Sequence, residues 1–171
     1  MSDTPAAWGE PRSRTVTWFD PMATAERAAG LSGLEFRQAV VAGEVPGPPI
    51  GALMGFTGGS AEQGRVPFLC TPDESVYNPI GVVHGGLVCT LLDSALGCAV
   101  HTTLPVGTAY TSLELKVSYL RPVTRDSGQL VTVGTVTKPG RRAAFAEGTV
   151  RDGTGRLVAT ATSTLLVFPL P

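Results

Sequence analysis

One apolar segment, residues 85–102, limits the folds open to this chain more than any other. Its sequence is GGLVCTLLDSALGCAVHT, and at about 100° per residue its apolar side chains cover most of a helix surface. Such a helix belongs in a protein core. The exception is Asp93, which shares the remaining arc with mostly small residues: Gly86, Cys89, Thr90, Gly97 and Val100. We predict that this carboxylate faces a buried or half-buried seam, where it is either satisfied by backbone or hydroxyl groups or required for function.

The segments that flank this helix have the patterns of β-strands. Two short strands are predicted before it, between residues 53 and 71, and a longer strand after it, at 109–120. Three further β-rich segments, 128–138, 143–152 and 156–168, are joined by the turns KPGRR and DGTG. We predict an α+β fold in which an antiparallel sheet, with its last four strands in hairpin succession, wraps around the central helix.

The strand predicted at 109–120 alternates between two kinds of side chain without interruption. Because alternate residues of a strand point to opposite faces of the sheet, this strand is expected to be half buried. The apolar face would carry Ala109, Thr111, Leu113, Leu115, Val117 and Tyr119, and the opposite face Tyr110, Ser112, Glu114, Lys116 and Ser118.

The N-terminal part, residues 1–48, is predicted to form a leader and two short helices ahead of a main domain at residues 49–171. Asp20 is suited to cap the first helix, and Ser32 with Glu35 has the spacing of a capping box for the second. We therefore expect an N-terminal helical extension attached to one sheet-and-helix domain.

The composition argues against several kinds of partner. Thirteen Lys and Arg against fourteen Asp and Glu, spread along the chain, leave no basic patch for nucleic acid. Neither a secretory signal nor an apolar run of about 18–20 residues is present, so we expect a cytoplasmic protein without a membrane segment. With two histidines and no Cys-x-x-Cys pair, we expect no metal site and three reduced cysteines.

The residues that open the central helix are suited to bind a carbonyl oxygen. In His84-Gly85-Gly86, two residues without side chains occupy the first turn, where backbone N–H groups lack partners within the helix. A carbonyl oxygen can approach these donors and the positive end of the helix dipole, which is the arrangement of an oxyanion hole. In the alternative interpretation, the glycines only permit a tight turn, and Asn78 and His84 only form hydrogen bonds within the loop.

The spacing of these groups predicts how the chain assembles. Gly85 and Asp93 are eight residues apart, about 12 Å along a helix, whereas reacting atoms must approach within about 3.5 Å. If both groups serve one reaction, the carboxylate must come from a second copy of the chain, with the two helices antiparallel. We therefore expect a homodimer with two sites related by a two-fold axis.

The combination of Asn78, His84-Gly85-Gly86 and Asp93, followed by YTSLELKVSYLRP, resembles the hotdog-fold acyl-CoA thioesterases of the phenylacetate-degradation (PaaI-like) type. The resemblance extends over residues 49–167. It implies a hotdog fold, in which the sheet wraps the helix, and dimers that pair their sheets side by side and often form dimers of dimers. The N-terminal helices depart from the usual pattern of this family.

The resemblance also implies a role for each residue of the motif. Asp93 of one subunit would act as general base or nucleophile, and the Gly85 N–H of the other would polarise the thioester carbonyl. Asn78 would position the attacking water or the carbonyl, and His84 would support the carbonyl side. Ser112 matches the position of a hydroxyl near the water.

A second group of residues is suited to bind coenzyme A. The turn TKPGRR carries Lys138, Arg141 and Arg142, which are cations suited to phosphates, and Gly86 leaves the backbone open to the substrate. A solvated surface turn is an equally good interpretation of the three cations, and the resemblance favours Arg141.

Three functions remain open from the sequence. The leading hypothesis is hydrolysis of an acyl-CoA thioester without a metal or an organic cofactor. The second is a hotdog hydratase or dehydratase, although these enzymes typically have either a His paired with a Glu or an Asp followed about five residues later by a His, where this chain has Cys98. The third is an acyl-CoA-binding protein without turnover, which the intact Asp93 argues against. The sequence does not indicate the acyl group.

Overall fold

The predicted arrangement of an antiparallel sheet around one long helix is confirmed. The computed structural model describes residues 8–170, and its longest helix, α4, spans Gly85–His101. Three shorter helices precede it: α1 (Pro21–Ala28), α2 (Gly33–Ala42) and α3 (Pro49–Met54). Within the described residues, one sheet contains the strands β1 (Phe56–Gly58), β2 (Arg65–Cys70), β3 (Thr108–Tyr119), β4 (Leu130–Lys138), β5 (Ala143–Arg151) and β6 (Leu157–Pro169).

The strands lie in the order β1-β2-β4-β5-β6-β3, and all neighbours are antiparallel. The predicted hairpins β4-β5 and β5-β6 are present, but the predicted hairpin between β3 and β4 is wrong, because β3 pairs with β6. Residues 120–129 instead lead from the edge strand β3 to the interior strand β4. Val123 in this segment is buried, and its carbonyl accepts a hydrogen bond from the Val83 N–H at 2.8 Å. Packing against the loop before α4 thus replaces a tight turn.

A β-bulge changes which residues of β3 face the helix. The pairing with β6 shifts register between Ser112 and Glu114, so Leu113 has no partner and is 59% exposed. Beyond the bulge Leu115 and Val117 pack on the core as predicted. Before it the predicted faces are exchanged, because a single inserted residue reverses a two-residue alternation. Tyr110 and Ser112 therefore face α4. Tyr110 packs on the core, and the Ser112 hydroxyl donates a hydrogen bond to Asp93 of α4.

α4 forms the centre of the core. β4 approaches the backbone of this helix directly at Gly134, where a Cβ atom would collide with the carbonyl of Ala95. Burial of each leucine side chain contributes about 1.5–3 kcal/mol, so the enclosed helix is a major source of stability. Its buried apolar residues are Leu87, Val88, Leu91, Leu92, Ala95, Leu96, Ala99 and Val100.

The two predicted N-terminal helices are present with their predicted caps. The Asp20 side chain accepts a hydrogen bond from the N–H of Met22 at the start of α1, and the capping box of Ser32 and Glu35 is complete at the start of α2. Residues 1–7 of the predicted leader lie outside the described residues.

Helix α3 is an addition to the predicted elements. The prediction that Leu53 and the residues after it begin a strand is wrong at its start, because Leu53 belongs to α3 and β1 begins at Phe56. Pro49 opens this helix and Gly55, with φ of 71°, closes it, which is the usual placement of these two residue types. The domain boundary between residues 48 and 49 stays a prediction.

Helix α2 packs on the C-terminal end of α4. The Gly33 N–H donates to the carbonyl of Leu104 at 3.1 Å, and a Cβ atom at Gly33 would collide with the backbone of His101. The rings of Phe36 and His101 are 5.7 Å apart. The N-terminal extension is thus attached to the helix that carries Asp93.

No helix of residues 8–170 has both the length and the apolar character needed to cross a bilayer.

We expect Gly134→Ala to lower the free energy of unfolding by about 1–3 kcal/mol, because the added methyl group forces β4 away from α4. Gly47→Ala is the matched control, since the space around Gly47 is open. The two variants are compared by urea denaturation. Equal stability of the two variants would contradict the close approach of β4 to the helix.

Candidate active site

The carboxylate of Asp93 forms one half of the candidate site. Asp93 lies in the middle of α4, and its Oδ1 accepts a hydrogen bond of 2.7 Å from the Ser112 hydroxyl of β3. This bond leaves Oδ2 available to a ligand. The prediction that Asp93 faces a buried or half-buried seam is wrong for the single chain, where the residue is exposed. The physical reason is that β3 is the last strand of the sheet, so residues 8–170 supply no further strand to cover this side.

The start of α4 forms the other half. The imidazole Nδ1 of His84 accepts a hydrogen bond of 2.8 Å from the Gly86 N–H and so caps the helix. The Gly85 N–H has no acceptor among the described residues. The free donor at the helix start is therefore Gly85, in agreement with the role that the resemblance implies, while direct contact of Gly86 with substrate stays a prediction.

The cap also fixes the tautomer of neutral His84. Because Nδ1 accepts from Gly86, it carries no hydrogen, and the ring proton lies on Nε2. The His84 side chain is exposed, so the Nε2–H donor is accessible to a ligand. The geometry thus agrees with the alternative interpretation, in which His84 forms a hydrogen bond within its own loop, and it leaves the Nε2–H donor free.

Asn78 uses one end of its carboxamide within the loop. Its Oδ1 accepts from the N–H groups of Ile80 at 3.1 Å and Val82 at 3.4 Å. This is the local loop role considered as the alternative for this residue. The Nδ2 group of Asn78 makes no hydrogen bond among the described residues, and its predicted role at the carbonyl stays a prediction.

Tyr119 is a residue of the site that sequence reasoning missed. Its hydroxyl donates to the carbonyl of Gly85 at 3.0 Å, and a Cβ atom at Gly85 would lie only 3.1 Å from its ring. The ring therefore holds the helix start against β3. The motif around Gly85 gave no signal of this contact, because the two residues are far apart in the sequence.

Tyr110 and Cys98 form a second group near Asp93. The sequence analysis assigned Tyr110 to the wrong face of β3 and gave Cys98 no functional role. The ring of Tyr110 covers Gly97, where a Cβ atom would lie 2.8 Å from the ring. Burial raises the pKa of the Cys98 thiol and raises that of the Tyr110 phenol well above its usual range. Both groups are neutral at neutral pH. The glycine one turn after Asp93 was the available signal that a large side chain approaches the helix here.

The predicted cations lie at the opposite end of α4 from Gly85. Lys138, Arg141 and Arg142 are exposed on the turn between β4 and β5. Arg141 lines a cavity of about 550 Å³ together with Leu104, beyond the C-terminal end of α4. The two ends of this helix are about 24 Å apart, so the single chain does not bring the cations to Gly85.

One chain thus contains two incomplete groups rather than one site. Asp93 lies with Ser112, and Gly85 lies with His84 about 12 Å away along the helix. Among residues 8–170, no group of three or more His, Cys, Asp or Glu side chains is arranged to hold a metal ion. The expectation of a reaction without a metal or an organic cofactor stays a prediction.

Comparison with known proteins identifies the family of this region. Residues 80–159 match the thioesterase superfamily. They include α4 with Gly85 and Asp93, and the strands β3 to β5. A Halobacterium salinarum protein, described as an esterase by inference, is 41% identical over 69 residues, which cover 39% of this chain. The chain spans 44% of the length of that curated relative.

Solved structures show the same architecture over most of the chain. A phenylacetic acid degradation-related protein of Ralstonia eutropha is 28% identical, with a TM-score of 0.69, over 76% of this chain and 98% of that one. A Streptococcus mutans protein bound to acetyl-CoA is 28% identical, with a TM-score of 0.61, over 67% of this chain and 90% of that one.

Fold and matched sequence together show a hotdog fold whose central region is similar to thioesterases. The matched region contains Gly85 and Asp93 of the motif on which the predicted resemblance to the PaaI-like thioesterases rests.

We expect His84→Ala to lower the free energy of unfolding by about 1 kcal/mol, because the Gly86 N–H loses its acceptor. His84→Asn supplies a side-chain oxygen at the same position and is expected to restore most of this stability. Chemical denaturation of the two variants measures the difference. The cap would be unimportant if both variants were as stable as the wild type.

Proposed function

We propose that this protein hydrolyses the thioester of an acyl-CoA at a site shared by two copies of the chain. The observation that carries this proposal is the separation of Asp93 from the free Gly85 N–H on one rigid helix. Each group has its own supporting contacts, and within the part of the chain that the structure describes the two lie too far apart to act on one carbonyl carbon.

The free edge of the sheet is suited to form the dimer. β3 is the edge strand, has 12 residues and pairs on one side only, with β6. Leu113 and Tyr119 of this strand are 59% and 55% exposed. Antiparallel pairing of two β3 strands satisfies their unpaired backbone groups and makes the two α4 helices antiparallel, so that Gly85 of one copy approaches Asp93 of the other.

In the proposed reaction, the thioester carbonyl oxygen accepts a hydrogen bond from the Gly85 N–H of the second copy. In one route Asp93 takes a proton from water, whose oxygen attacks the carbonyl carbon. In the other route Asp93 attacks first and forms an anhydride, which water then hydrolyses. In both routes the carbon–sulfur bond breaks, coenzyme A leaves as the thiol after gaining a proton, and the acyl group leaves as the acid. Ser112 positions the carboxylate by holding Oδ1.

The antiparallel arrangement also brings the β4–β5 turn of one copy towards the helix start of the other. Lys138, Arg141 and Arg142 would then lie on the side from which the phosphates of coenzyme A approach. The acetyl-CoA bound to the similar Streptococcus mutans protein supports this class of substrate. A dimer of dimers and a cytoplasmic location are further predictions from the sequence.

The other two hypotheses have less support. A hydratase needs a second acid/base group close to Asp93. Cys98 stands where that group is expected, but burial raises the pKa of its thiol, which is therefore neutral at neutral pH. The pKa of His101 is lowered by burial and by Arg37, and this ring lies 5.4 Å from that of Tyr110. An acyl-CoA-binding protein would bind the same ligands without releasing free thiol.

We expect Asp93→Asn to lower kcat by about a hundredfold or more, because the amide is neither a base nor a nucleophile. The measurement is release of free thiol from a panel of short, long and aromatic acyl-CoA thioesters. Asp126→Asn is the control, since it removes a carboxylate that is 88% exposed and lies outside the site. Unchanged turnover in Asp93→Asn would remove this residue from the mechanism, and binding without thiol release by the wild type would favour the binding protein.

We expect mixed dimers of Asp93→Ala and Gly85→Pro chains to regain activity. Each hybrid has one intact and one doubly defective site, so its rate should approach about half that of the wild type. Proline is tolerated at the first position of a helix but removes the N–H. Gly85→Ala is the matched control, because it adds a side chain against Tyr119 and keeps the donor. Inactive hybrids, with heterodimers shown by native mass spectrometry, would disprove the shared site.

A further inference from the structure

One of the N-terminal helices, α2, carries a buried arginine that has no acidic partner among residues 8–170. Arg37 of α2 is 3% exposed. Its Nε and Nη2 atoms are buried and have no hydrogen-bond partner among the described residues. The guanidinium lies 5.1 Å from the centre of the Phe68 ring and so tightly against Gly58 that a Cβ atom there would collide with it. The ring offsets part of the cost of burial but accepts no hydrogen bond from the Nε and Nη2 donors.

Such a residue is costly unless an anion binds it. Burial of an unpaired charge costs several kcal/mol, and no ion pair within residues 8–170 involves Arg37. The guanidinium presents donors in a planar fork that matches the two oxygens of a carboxylate. A bound carboxylate is therefore the ligand that would best satisfy this side chain.

Arg37 lines a cavity of about 370 Å³ between the N-terminal extension and the main domain. Most of its wall is apolar and comes from α1, α2 and the proline-rich segment after them. The other side is formed by Cys98, His101 and Tyr110. Since the thiol, the imidazole and the phenol are neutral at neutral pH, the guanidinium is the only charge in this lining.

The cavity lies on the C-terminal side of Asp93 along α4, and Cys98 is its lining residue nearest to Asp93 in the sequence. Tyr110 lies two residues before Ser112 on the face of β3 that meets α4, and its ring covers Gly97, one turn after Asp93. Cys98 is about 7.5 Å and His101 about 12 Å from Asp93 along the helix axis. An acyl chain whose carbonyl lies at Asp93 would reach the cavity, and Arg37 in its wall, by passing the Tyr110 ring.

We propose that this cavity holds the acyl group of the substrate and that Arg37 binds a carboxylate at the far end of the chain, so that the preferred substrates are CoA thioesters of dicarboxylic acids. This inference rests on the proposed function and adds its substrate class. The apolar wall accommodates the methylene groups, and Arg37 is a specificity residue that does not take part in the bond changes at the carbonyl.

The test compares adipyl-CoA with hexanoyl-CoA, which have acyl chains of equal length and differ in the terminal carboxylate. We expect kcat/KM of the wild type to be about tenfold or more higher for adipyl-CoA, a ratio in the range of one charge-assisted hydrogen bond. Arg37→Leu should reverse the preference, because it replaces the cation with an apolar group. Arg27→Leu is the matched control, since this arginine is exposed on the neighbouring helix α1 and does not line the cavity.

A second measurement separates this inference from the proposed reaction. The melting temperature of Asp93→Asn should rise more with adipyl-CoA than with hexanoyl-CoA, and the added Arg37→Leu change should abolish the difference. If the wild type hydrolyses both thioesters at the same rate, the inference is wrong and the thioesterase remains. If neither is hydrolysed but the selective rise in melting temperature occurs, the reaction is wrong and the carboxylate site remains.

An acidic side chain from a second copy of the chain is the main alternative partner of Arg37. In that case Arg37→Leu would weaken the dimer in analytical ultracentrifugation and leave the ratio of the two rates unchanged. This result would overturn the inference. Arg37→Gln provides a second variant for the same comparison should Arg37→Leu not fold.

Discussion

The enclosure of α4 by the sheet is the constraint on which the rest of the structure depends. Its apolar side chains are buried on nearly all sides, so polar groups are restricted to the arc that faces the edge strand β3 and to the two ends. Asp93 lies on that arc, and Gly85 lies at one end. Because the helix is rigid, the distance between them is fixed. In the proposed reaction the chemistry is therefore divided between two points of the helix, and a second helix that runs in the opposite direction brings Gly85 of one copy to Asp93 of the other.

The elements of the fold could be predicted from the sequence, but the pairing of β3 and its faces could not. Alternation shows which residues share a face, and turn residues show where a hairpin closes. Neither reveals that the segment around Val123 packs below the start of α4 and returns the chain to the middle of the sheet. The bulge at Leu113 left no signal either, because the alternation of residue types continues through it. Its consequence is that the Ser112 hydroxyl lies on the α4 side of β3 and donates a hydrogen bond to Asp93.

The motif residues of the candidate site could also be predicted, whereas its surroundings could not. The order and spacing of Gly85 and Asp93 are local properties, and so is the cap formed by His84. The burial of Arg37 is not, because an arginine on a short helix is usually solvated. It becomes buried only when α2 packs on the end of α4, which requires Gly33 to contact the helix without a side chain. Glycines inside helical patterns, such as Gly33 and Gly97, thus mark the positions where other elements pack closely on a helix.

The attachment of the N-terminal extension to α4 separates two properties of the protein along the sequence. The groups of the candidate site belong to the helix and to β3, whereas much of the cavity wall belongs to α1 and α2. If the cavity holds the acyl group as proposed, substitutions in the extension alter which acyl groups fit without disturbing the carboxylate or the helix start. In evolutionary terms, we then expect the extension to diverge under selection for new substrates, and the central helix to be constrained by the demands of the reaction. Descendants of one ancestral sequence would then differ first in their N-terminal helices.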